Sequence, residues 1–121
     1  MHRTVLHFLD DIKDATDKIL KFRKGVSFEE FSSDEMRKDA VVWNFEVIGE
    51  AVKNLPDDLK ARYPAVEWRK TAGLRDAIVH GYFRIDYEVL WEIIERDLLP
   101  LQNQIQVIIA DQEKREAEQK R

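Results

Sequence analysis

At 121 residues the chain is long enough for one hydrophobic core and too short for two ordinary domains. Its 44% hydrophobic and 36% charged content fits a water-soluble globular protein, and the absence of cysteine excludes a disulfide framework, a thiolate nucleophile and the usual cysteine-ligated structural zinc sites. A net charge of -4 disfavours indiscriminate nucleic-acid binding over the whole surface, and no apolar run approaches the roughly 20 residues that span a bilayer.

The elements follow in chain order. Thr4 to about Arg23 carries Val5, Phe8, Leu9, Ile12, Thr16, Ile19, Leu20 and Phe22 at helical spacing, and Gly25 stops it. This N-terminal stretch turns acidic too early for a secretory signal, so the expected location is the cytoplasm. Ser27 with Glu30, and Ser32 with Glu35, both have capping-box spacing, which predicts a short turn near Phe28 to Phe31 and a second long helix from about Ser33 to Leu55. The apolar positions of that helix include Met36, Ala40, Val41, Val47, Ile48, Ala51, Val52 and Leu55, and Pro56 ends it. Gly49, in its middle, costs about 1 kcal/mol relative to alanine and points to a close helix crossing.

"PDDLKARYP" reads as a short helix, and about Trp68 to Val79 as another, closed by Gly81. Asp86 is a good N-cap for the last long helix, whose stripe is Leu90, Ile94, Leu98, Leu101, Ile105 and Ile108. Pro100 falls within that stripe and is expected to kink it, because it removes one backbone bond and crowds the preceding turn. The polar tail from Asp111, with Asp111–Arg115 and Glu116–Lys120 at i, i+4 spacing, reads as a charged extension or frayed end over residues 111–121 of a single domain spanning 1–110. Strand-like alternation is absent from this reading. The predicted class is all-α, an antiparallel four-helix bundle with an additional short connecting helix.

Chemistry concentrates in "LRDAIVHGYFRID", Leu74 to Asp86. Between Lys60 and Ile85 the basic residues Lys60, Arg62, Arg69, Lys70, Arg75 and Arg84 face only Glu67 and Asp76, a local cationic zone on an acidic chain. On an ideal helix the five-residue step from Arg75 to His80 turns through about 140° and rises about 7.5 Å, so the two side chains diverge. Taken alone, the stretch reads first as a core helix end whose histidine caps it and whose arginine pairs with a neighbouring carboxylate.

"RDAIVHGY" resembles the R-x-x-x-x-H-x-Y motif of the HepT-like toxins of the HEPN superfamily. Beyond the motif, "DAVVWNFEVIGEAVKNLP" is similar to that family's second helix, and "YPAVEWRKTAGLRDAIVHGYFRIDYEVLWEIIERDLLPLQNQI" to its motif region and last helix. The resemblance covers nearly the whole chain and implies a HEPN-like helical domain acting as a metal-independent endoribonuclease toxin, with no cofactor. It further implies a homodimer in which the arginine and histidine of both subunits share one cleft, and an MNT-type nucleotidyltransferase antitoxin as partner. His80 then serves as general base or acid, its protonated form favoured by a helix C-terminus. Arg75 holds the phosphate, and Asp76 has a supporting role in orienting one of them. Tyr82 is the residue the antitoxin adenylylates, and Arg69, Lys70 and Arg84 form a basic rim for the RNA backbone.

Other features take plainer readings. His2 and His7 lack companions at metal-ligand spacing, and Asp10, Asp11 and Asp14 suit a solvated face. Trp43, Trp68 and Trp91 suit packing or dimer contacts, while Glu50 is a candidate to approach the cleft. The rival reading is a catalytically silent HEPN module that binds a nucleotidyltransferase or a nucleotide.

Overall fold

The computed structural model describes residues 4–81 and 84–120. Helix α1 (Val5–Arg23) begins at Thr4, whose hydroxyl accepts from the His7 backbone N–H while the His7 ring accepts from the Thr4 N–H. His7 is thus half of a capping box. The chain then turns through Gly25, at φ +72°, a conformation that glycine adopts without a Cβ penalty. Ser27 and Glu30 form the expected reciprocal cap on α2 (Phe28–Ser32).

The second predicted box does not form. Helix α3 (Glu35–Lys53) is capped by Asp34, whose carboxylate accepts from the Arg37 N–H at 3.0 Å, so a charged acceptor displaces Ser32 and the helix starts later than Ser33. Its core stripe runs Val41, Phe45, Ile48 and Val52, and Met36, expected among the apolar positions, is 84% exposed. Gly49 makes the close crossing its position implied: a Cβ there would lie 3.0 Å from the Ala72 carbonyl oxygen.

After α4 (Asp57–Arg62), the segment expected as one helix from Trp68 to Val79 is broken. Helix α5 (Trp68–Ala72) ends at Gly73, which also begins α6 (Leu74–Ile78). Two short strands follow, β1 (Val79–His80) and β2 (Arg84–Ile85), paired antiparallel with Val79 opposite Ile85 and His80 opposite Arg84. The expectation of no strand is therefore corrected. Gly81, at φ +62°, turns the chain back, and the Asp86 N–H donates to the Ile78 carbonyl at 2.7 Å, closing the hairpin onto the end of α6. Val79 and Ile85 are partly buried while His80 and Arg84 are exposed, the two-faced pattern of a half-covered ribbon.

Asp86 caps α7 (Tyr87–Ile93) as expected, its side chain accepting from the Val89 N–H. The helix continues through a π-helical turn, Ile94–Leu98, into α8 (Leu99–Gln119). The disturbance expected at Pro100 takes this form: proline has no N–H for the preceding turn, and a wider turn upstream relieves the crowding. Helix α8 runs on into the polar tail, where Tyr63 donates to Asp111 and Arg115 pairs with Asp111 at 3.2 Å.

The fold is all-α apart from the small hairpin. Helix α1 packs against α3 and α8, and α5 and α6 together lie against α3 where one helix from about Trp68 to Val79 was expected. Ile12, Ile19, Phe45, Ile48, Ile78, Leu90 and Ile105 fill the shared core. No helix among the described residues is long and apolar enough to cross a membrane.

Candidate functional site

Two exposed clusters follow one another along the chain, one where α6 packs on α3 and the other on the hairpin that follows α6. In the first, Arg75 projects from the first turn of α6, and its Nε lies 3.0 Å from Glu46 Oε1 on α3, with both side chains nearly half exposed. Arg75 and Asp76 line a shallow concavity of about 120 Å³ with Glu46, Gly49, Glu50, Lys53 and Ala72. Helix α6 reaches α3 because Gly49 lets the α5–α6 junction approach. Glu50 stands in the same concavity, paired with Lys53 at 3.6 Å.

The second cluster is the hairpin. His80 and Arg84 are directly opposed across the strands and share its solvent face. His80 does not sit at the lip of a helix, as the sequence suggested; α6 ends at Ile78 and His80 is paired strand. Among the described residues no hydrogen bond or ion pair joins Arg75 or Asp76 to His80. Tyr82, between Gly81 and Arg84 in sequence, lies outside the described residues, as does His2.

The other rim candidates separate. Arg69 is exposed on α5. Lys70 is held in the fold, 3.3 Å from Glu67 and 3.4 Å from Asp97, beside a second small cavity that includes Pro100 and Gln104. The Arg96 hydrogen bond holds the Asp97 carboxyl below the usual carboxylate range, against the opposing effect of partial burial, and Lys70 adds to the lowering. A carboxyl depressed in the folded state contributes stability that is present above the unfolded pKa of about 3.9 and is lost as the pH falls through its lower folded value. Asp97→Asn is accordingly expected to flatten the acid limb of stability below about pH 4, as read by urea unfolding at several pH values. An acid limb of unchanged slope contradicts this.

The tryptophans divide. Trp68 Nε1 donates to the carbonyls of Lys60 and Tyr63, and Trp91 packs on Phe28 and Phe31, so both serve the interior. Trp43 is 64% exposed and lines an open groove with Phe8, Val47 and Glu50. Glu46 and Lys53 were missed in the sequence. The available signal was the spacing: Glu46, Glu50 and Lys53 stand at i, i+4 and i+7 and so share one face of α3, beside the Gly49 crossing. Among the described residues no group of three or more histidine, aspartate or glutamate side chains is placed to hold a metal ion.

This is an all-α domain of the HEPN kind, with an arginine–glutamate pair at a helix crossing and a histidine–arginine pair on the adjoining hairpin. The sequence profile "Ribonuclease HepT-like" matches residues 12–108. A Methanocaldococcus jannaschii protein named "Putative RNase MJ0127" is 41% identical over 109 residues, 90% of each chain. A second from that organism, "Putative RNase MJ1216", is 38% identical over 109 residues, again 90% of each chain. "Probable ribonuclease HepT" of Thermococcus cleftensis is 37% identical over 106 residues, covering 88% of this chain and 96% of its own. No solved structure matches. The chain belongs to the ribonuclease HepT-like family of the HEPN superfamily.

Proposed function

We propose that the protein is a metal-independent endoribonuclease, the toxin of a HEPN/MNT toxin–antitoxin system, acting as a homodimer. The observation that carries this reading is that Arg75, at the start of α6, and His80, on the hairpin that follows it, are both exposed and are not bonded to each other within one chain. A two-fold axis beside them brings the arginine and histidine of one copy against those of the other, so that two divergent pairs make one cleft.

In that cleft the 2′-hydroxyl of the RNA attacks the adjacent phosphorus. His80 of one copy takes the hydroxyl proton, the bond from phosphorus to the 5′-oxygen breaks, and the second copy's histidine gives a proton to the departing oxygen. The products are a 2′,3′-cyclic phosphate and a 5′-hydroxyl. Arg75 binds the phosphate oxygens on which charge builds, Asp76 supports it from the next position, and Arg69 and Arg84 supply outer backbone contacts. Lys70, already paired with two carboxylates, takes a lesser part. Adenylylation of Tyr82 by the nucleotidyltransferase places an anion two residues from His80, repels RNA and silences the toxin.

The test is RNA cleavage by the purified chain in excess chelator, after intact-mass measurement has shown Tyr82 to be unmodified. Cleavage in chelator with a dimer in solution supports the reading. A monomer at micromolar concentration counts against the shared cleft, and an unmodified dimer that cuts no RNA favours the silent HEPN module.

A further inference from the structure

Arg75 does not stand alone on its surface. Glu46 reaches it from a different helix, with Oε1 at 3.0 Å from Nε, and this contact is long-range in sequence. An exposed ion pair of this kind adds little to stability, because water and salt screen it and both side chains lose freedom. A carboxylate beside an arginine that must bind phosphate also carries an electrostatic cost, since it repels the same anion. Its position on the guanidinium offers the compensating gain. A carboxylate at the Nε edge restrains the plane of the group and leaves the terminal nitrogens as the edge that meets an oxyanion.

The support for Glu46 is rigid. Helix α3 is anchored through Val41, Phe45, Ile48 and Val52 on its core side. Gly49, one turn beyond Glu46, permits the approach that brings α6 within reach. The neighbouring carboxylate, Glu50, is taken up by Lys53. Glu46 is thereby the carboxylate of this face that is paired to Arg75.

We infer that Glu46 is a positioning residue, holding Arg75 in the orientation that receives the scissile phosphate. The inference rests on the ribonuclease reading above. It acts on the reaction through Arg75 and makes no contact with the reacting atoms.

The test compares the full-length wild type with Glu46→Ala, Glu46→Gln and Glu46→Asp on an RNA that the wild type cuts. Misplacement of a catalytic group by about 1 Å costs up to roughly a hundredfold, so kcat is expected to fall about tenfold or more in Glu46→Ala while KM changes by less than about threefold. Glu46→Asp, which keeps the charge, is expected to recover part of the loss and Glu46→Gln less. The Arg75 side-chain Nε–H signal in nitrogen-15 NMR is expected to report restricted motion in the wild type and released motion in Glu46→Ala.

A Glu46→Ala rate within about twofold of wild type, or an Nε–H signal equally ordered in both, overturns the inference while leaving the ribonuclease reading intact. So does a fall in melting temperature beyond about 5 °C, which marks a structural pair instead. A wild type that cuts no RNA overturns the ribonuclease reading, and the inference with it.

Discussion

His80→Ala is expected to lower RNA cleavage by about a hundredfold to ten-thousandfold, the range that general acid–base catalysis contributes. Arg75→Ala is expected to lower it by about a hundredfold to a thousandfold, as loss of a preorganised charge stabiliser does elsewhere. Neither change should cost the fold more than about 0.5 kcal/mol, because both side chains are solvent-exposed and neither fills the core. Single-turnover cleavage measured beside thermal unfolding separates the two effects. Arg75→Lys adds a geometric control: it keeps the charge but loses the planar fork, so most of the Arg75 contribution should still be lost. If Arg75→Lys cuts as well as wild type, the arginine serves as a point charge and the importance given to its orientation is misplaced. If His80→Ala retains full activity, the chemistry lies elsewhere on the chain.

The parts of this site that the sequence disclosed and those it withheld differ in kind. Caps and breaks are local, and local signals carried them: Ser27 with Glu30, Asp86 and Gly49 all behave as their positions imply. The Ser32–Glu35 spacing was equally local but lost to Asp34, because an ionised carboxylate two residues further on is the stronger acceptor. The hairpin escaped notice because each strand is two residues long, too short to display alternation, and Gly81 reads as a helix stop as readily as a turn. That error placed His80 on a helix lip when it belongs beside Arg84 on a ribbon. The Glu46–Arg75 contact lies beyond any window of sequence spacing, since tertiary packing alone brings α3 and α6 together. Family resemblance supplied the motif's chemistry; the ion pair and the strand partner belong to the folded chain.

The largest expected loss of stability comes from a residue remote from that motif in sequence. Helix α2 has only five residues, far below the length at which a helix holds itself together in water, so packing must hold it. Phe31 does so, fully buried, with ring centroids 5.2 Å from Trp91 and 6.3 Å from Tyr87. Around this cluster the outer rings carry cations: Arg23, bonded to Glu95, lies 5.7 Å from the Trp91 centroid, and Lys38 Nζ lies 4.5 Å from that of Tyr87. Phe31 therefore ties α2 to α7, and the rings it packs against meet Arg23 at the end of α1 and Lys38 in the first turn of α3. Phe31→Ala is expected to destabilise the domain by about 3–5 kcal/mol, through lost transfer energy and a cavity left in a fully buried site. Against a total stability of about 5–15 kcal/mol for a domain of ordinary size, that is a large share, and the melting temperature should fall by about 10–20 °C. Phe31→Leu keeps most of the volume and loses only the aromatic contacts, so its cost should stay near about 1–2 kcal/mol. Urea unfolding of the three proteins checks the series. Equal losses for leucine and alanine mean that ring geometry, not volume, holds α2 in place; a loss below about 1 kcal/mol for alanine means that the cluster collapses around the gap.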